Sequence, residues 1–342
     1  MARATEAVPG AGEEALGEGG SQSPLRMALR RLLKKRIALI AIVYILIFYA
    51  AGATAPLLDG SGAIPGYTEQ DLEEALAGPS LSHPFGTDRL GRDQLSRVIW
   101  AAQTTVIITV VVMVSGGLVL TVSMGLLSGY VGGWVDSLIM RVGDVFISLP
   151  GLLMLILINA SLGDQVESLA RDIENGVAIA PLGISLFTIK IGGLVRSGAP
   201  DYFLIAAALT LFSWVGGARV IRSQILALRE TEFILAARAL GASTPRILFR
   251  HLLPNVSNII IVSLSLSLAG IAGSEIVLSW FGVGVQPPHP SFGALIFDAS
   301  SVRTVNEHAY LLAFPGLIVA ALFFAFNLLG DALTDVFTPR AR

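Results

Sequence analysis

From Ile37 to Leu58 the chain runs 22 residues without a charge, and nothing else narrows its fold as much. A helix needs about 20 apolar residues to cross the hydrocarbon core of a bilayer. Backbone polar groups must be paired internally there, so helices are the simplest solution. Comparable stretches follow. Val98 to Val135 is uncharged throughout and is longer than one crossing. The pattern predicts an all-α integral membrane protein with six spans, near 37–58, 104–128, 138–160, 202–218, 257–279 and 309–330. Gly129, Gly132 and Gly133 would turn the chain between the second and third, with Arg141 and Asp144 in the first turns of the third. Composition agrees: 14% of residues are charged, against about 25% in a soluble domain.

The flanks of these runs give an orientation. Residues 1–24, rich in Gly, Ala, Glu and Ser, are expected to be a disordered tail ahead of a domain spanning 25–342. Arg26, Arg30, Arg31, Lys34, Lys35 and Arg36 then precede the first apolar run. That run is longer than the core of a cleavable signal, so it reads as a retained span with its N-terminus inside. Six spans place both termini on one side. Segments then falling inside hold 16 of the 23 lysines and arginines, as the positive-inside rule requires. Segment 161–200 is an insertion outside this pattern. It reads either as an external loop with an amphipathic helix or as a re-entrant or extra span carrying Lys190 and Arg196. An extra span would put the arginine-rich 219–251 segment outside, against the same rule.

Several chemistries lack their residues. Without cysteine there is no disulfide, thiolate metal site or cysteine nucleophile. The three lysines, Lys34, Lys35 and Lys190, do not follow glycine, so no phosphate-binding P-loop is present. His83, His251, His289 and His308 lack metal-ligand spacing, and there is no G-x-S-x-G elbow. A membrane enzyme is therefore disfavoured. An ion-coupled carrier would place several ionisable groups in the membrane. Apart from Arg141 and Asp144 in the first turns of the third, only Glu275 lies inside an expected span, as a gate or pathway residue or as a structural acid bonded to neighbouring helices. The dense charges Asp88, Arg89, Arg92, Asp93 and Arg97 read as an external contact or as local ion pairs that position the second span.

Segment 219–256 is helical in pattern although it lies between spans. Phe233, Ala236, Ala237 and Leu240 make one short apolar face, and Gly241 ends it. Ser243 or Thr244 can cap a second helix with Pro245 at its start. Ile247, Leu248 and Leu252 form that helix's apolar face, and Pro254 is expected to end it. Periodicity leaves open whether these faces pack on the chain's own helix ends or on a partner.

The run LAARALGASTPRILFRHLLPN resembles the cytoplasmic EAA loop of binding-protein-dependent ABC importer permeases, E-A-A-x3-G-x9-I-x-L-P. Ala236, Ala237, Gly241, Leu253 and Pro254 match at the motif's spacing, with Leu235 in place of the glutamate and His251 in place of the isoleucine. HPFGTDRLGRDQLSRVIW (83–100), GVGVQPPHPSFGALI (282–296) and FNLLGDALTDVFTPR (326–340) are similar to further blocks of the dipeptide/oligopeptide branch, second permease of the pair. Phe292 and Thr338 depart from those blocks, where the branch has a tryptophan and an acid.

The resemblance covers about residues 25–340 and implies the type I ABC importer permease fold in the cell membrane. It implies half of a translocation pathway for di- or oligopeptides, with nickel chelates, glutathione or oligosaccharides as alternative cargo. A homologous second permease, two ABC ATPases, an external binding protein and membrane lipid are the implied partners, with no nucleic acid. No cofactor is expected in this chain, since ATP and Mg would bind the ATPases. The implied ATPase-coupling residues are Phe233, Ala236, Ala237, Arg238, Gly241, Ala242, Arg246, Arg250, His251, Leu253 and Pro254. Lipid-headgroup or solvated roles stand equally open for Arg238, Arg246 and Arg250. The Leu235 substitution bears on one polar contact to the ATPase. A self-sufficient ion-coupled carrier is the alternative from another class.

Overall fold

The computed structural model describes residues 32–174 and 198–337. These form ten helices: α1 (Arg36–Gly60), α2 (Gln94–Val131), α3 (Gly133–Ser148), α4 (Gly151–Glu174), α5 (Ala199–Leu228), α6 (Glu232–Ala239), α7 (Thr244–Trp280), α8 (Phe292–Ala299), α9 (Val302–Glu307) and α10 (Tyr310–Phe337). A short 3-10 turn occupies Leu72–Glu74. Helices α1, α2, α4, α5, α7 and α10 are long and apolar enough to cross a membrane, which gives six spans.

Helix α5 is the central post. Half of its most apolar window is buried inside the chain, against 6% for α4, which lies at the margin. Its closest neighbour is α2. A Cβ added at Gly125 or Gly129 of α2 would stand 2.7 Å from the Cβ of Ile221 or Ile225 on α5. Small residues one turn apart thus let two backbones meet where hydrophobicity alone gives no drive. On the other side, Phe48 of α1, Ala272 of α7, Phe292 of α8 and Phe326 of α10 build a second core.

Two expected boundaries are corrected. The third span was expected near 138–160, but the chain breaks within that range. Leu149 is extended (φ −85, ψ 138), as a residue before proline prefers, and Pro150 separates α3 from α4. The apolar helix therefore starts at Gly151 and runs to Glu174, so the first part of the insertion continues that helix. Arg141 and Asp144 belong to α3, which is tied to α5: Asp136 takes two bonds from Arg222, at 2.6 and 2.5 Å, and Asp144 pairs with Arg219. The Arg222 guanidinium holds the Asp136 carboxyl below the usual carboxylate range. The second correction concerns Pro254. It does not end a helix but lies near the start of the long α7 segment that follows a π-helical turn at Ile247–Leu252. The wider turn makes room for the proline ring, and the missing N–H is absorbed where the ladder changes register.

The expected disordered tail 1–24 and the stretch 175–197 of the insertion, with Lys190 and Arg196, lie outside the described residues.

Candidate functional site

Between α5 and α7 the chain forms a hairpin of α6, a turn at Leu240–Ser243 and the first turns of α7. The turn follows from Gly241. It has φ +76, where a side chain would be strained. Ala242 N–H bonds to Ala237 O at 3.0 Å and Gly241 N–H to Arg238 O at 2.9 Å. These are the paired bonds of a Schellman C-cap. Ser243 then takes the cap position of α7 without a side-chain bond, and Pro245 sits in its first turn.

The hairpin has two apolar surfaces. Ile234, Ile247, Leu248 and Leu252 are buried, and pack with Val122 and Leu126 of α2 and Ile221 and Ile225 of α5. Phe233, Leu235, Leu240 and Phe249 face outward, Leu240 at 88% exposure. The face expected from Phe233, Ala236, Ala237 and Leu240 is thus the outer one. Ile247, Leu248 and Leu252 instead seat the hairpin on its own helix ends. Of the two options left open by periodicity, packing on the chain's own helix ends occurs on the inner side, while the outer side stands exposed.

The remaining expected coupling residues fall into three settings. Gly241, Arg246, Arg250 and Pro254 are exposed. Ala242 and Leu253 are partly buried against the inner core, and His251 is half-buried. Arg238 lies over the ring of Tyr130, its guanidinium carbon 5.0 Å from the centroid and its Nε donating to the hydroxyl at 3.3 Å. Arg238 therefore ties α6 to α2. Two fasteners escaped sequence reasoning. Ile234 is fully buried, and Arg229 donates to Gly129 O at 3.2 Å. The signal for Ile234 was present: it faces away from the 233/236/240 stripe.

Glu275 is far from the hairpin along α7. It is fully buried, and its carboxylate accepts from Thr105 of α2 at 2.9 Å and Ser279 at 3.0 Å. The Thr105 bond links α2 to α7.

The bundle's opposite end is polar. Asp88 accepts from Leu90 N–H, Arg92 N–H, the Arg92 side chain at 2.7 Å and Arg97 Nη1 at 2.6 Å. Asp93 caps α2 through Ser96 N–H at 2.7 Å and pairs with His83 Nδ1 at 2.8 Å, while Glu74 takes His83 Nε2 at 2.7 Å. Asp93, with Glu74 behind it, raises the His83 pKa above its ordinary value. The local-ion-pair reading of Asp88–Arg97 accounts for these contacts within the chain.

Known proteins share this arrangement of sequence. Residues 121–342 match the family described as binding-protein-dependent transport system inner membrane component. Residues 23–79 match the N-terminal TM domain of oligopeptide transport permease C. The dipeptide transport system permease protein DppC of Alkalihalophilus pseudofirmus is 31% identical over 94% of this chain and 91% of its own length. The oligopeptide transport system permease protein OppC of Bacillus subtilis is 30% identical, covering 92% and 89%. The glutathione transport system permease protein GsiD of Pectobacterium atrosepticum is 31% identical, covering 94% and 93%. With six membrane-spanning helices and matches of this extent, the chain belongs to the family of binding-protein-dependent transport system inner membrane components, as a permease subunit.

Proposed function

We propose that this permease forms half of the pathway of an ATP-driven peptide importer and receives its energy through the α6–α7 hairpin. The observation that carries the reading is the hairpin's split surface. Ile234, Ile247, Leu248 and Leu252 fix it to the bundle, while Phe233, Leu235, Leu240 and Phe249 stand exposed on a rigid unit. Large apolar residues clustered this way mark an interaction surface. In this reading Phe233, Ala236 and Ala237 enter a groove on an ABC ATPase, and Gly241 and Ala242 shape the tip. Arg246 and Arg250 add charge contacts. Arg238 and His251, with Leu253 and Pro254, connect the tip to the spans. ATP and Mg are bound by the ATPases and no cofactor by this chain. The hairpin and both termini are cytoplasmic, in line with the positive-inside bias.

The assembly comprises two ATPases, a homologous second permease and an external binding protein. Peptide cargo follows from the names of the relatives, and glutathione, itself a peptide, is within that class. In this reading Glu275 acts as a strut, supported by the bonds that its two carboxylate oxygens accept from Thr105 and Ser279.

Gly241→Pro tests the reading. Proline cannot adopt φ +76, so the turn is lost while the spans keep their sequence. In proteoliposomes holding the whole complex, ATP-driven peptide uptake should vanish with membrane insertion intact. Undiminished uptake would overturn the coupling role. Uptake by this chain alone, driven by an ion gradient, would favour the self-sufficient carrier.

A further inference from the structure

At the end of the bundle opposite the hairpin, a cavity of about 510 Å³ opens between the start of α2, α8 and the first turn of α10. That size lies within the range of about 300–1,000 Å³ typical of small-molecule sites. Leu295 and Phe297 give it apolar walls. Three groups lining it have needs that the described residues leave unmet. Gln94 is 2% exposed. Its amide nitrogen donates to Leu311 O at 3.3 Å, but its Oε1 is buried with no hydrogen-bond partner. Arg97, 8% exposed, gives Nη1 to Asp88, while its Nη2 stands 3.9 Å from Asp298, beyond hydrogen-bond reach. Asp298 is 59% exposed and has that distant arginine as its ion-pair partner. Arg89, on the same lining, is held by Thr304 at 2.5 Å.

An orphan buried acceptor calls for an N–H donor, because leaving it unpaired costs about 1–3 kcal/mol. A guanidinium with a free amino edge calls for a carboxylate, and an exposed carboxylate at the same opening calls for an ammonium. One small ligand class carries all three complements: a short zwitterionic peptide. We propose that this cavity is a peptide-binding site on the permease itself, with Arg97 and Arg89 taking the terminal carboxylate, Gln94 Oε1 the backbone N–H and Asp298 the terminal ammonium. The site would accept a short peptide independently of ATP. This inference rests on the peptide-import reading, which places this end of the bundle outside.

The test is peptide binding to the assembled complex in lipid nanodiscs, without binding protein or nucleotide, read by saturation-transfer NMR. The probes are trialanine, its C-terminal amide and its N-acetyl form. Trialanine should bind, and the amide should bind on the order of tenfold more weakly, the loss of one charge-assisted contact. The N-acetyl form should lose about threefold. Arg97→Lys, which keeps the charge but loses the fork beside Arg89, should reduce the preference for the free acid, and an unchanged preference would overturn the role given to Arg97. Asp298→Asn, on an exposed residue that leaves the Asp88 network intact, should make trialanine and its N-acetyl form equal. Equal binding of all three probes by the native complex, no binding at all, an unchanged N-terminal preference in Asp298→Asn, or displacement by equimolar inorganic phosphate would each overturn the site. The import reading is judged separately, by ATP-driven uptake with binding protein present. Uptake that survives while the probes bind without discrimination removes this inference alone.

Discussion

The two ends of the helix bundle are fastened by different forces. Around His83–Arg97 the chain is held by carboxylates and guanidinium groups that are mostly buried, each answering several partners. Around the α6–α7 hairpin it is held by aliphatic side chains, with Tyr130–Arg238 and Arg229–Gly129 as polar additions. Directional bonds of the first kind hold one geometry and fail abruptly when a partner is removed. Apolar packing of the second kind keeps a rigid unit in place while leaving its outer face free to be covered. The first suits a fixed rim, and the second suits a part that engages and disengages.

This contrast can be broken experimentally. The largest effect is expected from Asp88→Ala, which removes the acceptor for Arg92, Arg97 and two backbone N–H groups at once. A buried guanidinium left without its partner costs about 3–5 kcal/mol. Thermal melting in detergent should fall steeply, with the hairpin sequence untouched. Gly129→Val, on the face of α2 that meets Ile225, should cost about 1–3 kcal/mol by overpacking and lower the melting temperature less. At the hairpin, Phe233→Ser with Leu240→Ser should change stability by no more than about 0.5 kcal/mol, because both side chains are exposed. The same pair should abolish copurification of the ATPases. A large melting shift there would show that the outer face is part of the fold and dissolve the distinction.

The smallest effect is one of pH. The His83 pKa is raised in the fold from 6.5, with Asp93 and Glu74 as the facing acids. Its stabilisation is therefore fully present below about pH 6.5 and is lost as pH climbs through the raised value. The contribution should stay within about 1 kcal/mol for a pair so near the surface. Melting followed across that window should slope downward in the native chain and flatten in His83→Gln.

Sequence and structure agree where a single physical quantity decides. Uninterrupted apolar length located α1, α2, α5, α7 and α10, because the bilayer imposes that length. It misplaced the third span because charge-free runs say nothing about a proline inside them, and Pro150 governs the break after Leu149. Gly241 was legible as a helix stop, since its conformation excludes most side chains. Pro254 was misread, because whether a proline ends a helix depends on the turn before it, and the π-helical register at Ile247–Leu252 leaves no mark in composition. The partners of Glu275 were invisible for another reason. Thr105 is 170 residues away, so only the crossing of α2 and α7 brings the hydroxyl to the carboxylate.

That π-helical turn has a mechanical consequence. Had Pro254 ended a helix, the hairpin would hang from the membrane on a hinge and its movements would die out there. Instead Thr244–Trp280 is one 37-residue shaft, about 55 Å long at 1.5 Å per residue. In the coupling reading proposed above, a sideways push at Arg246 would tilt the whole shaft at Glu275, where the Thr105 bond joins it to α2. The handle and shaft of such a lever share one run of backbone, and its far linkage is a single side-chain hydrogen bond to α2.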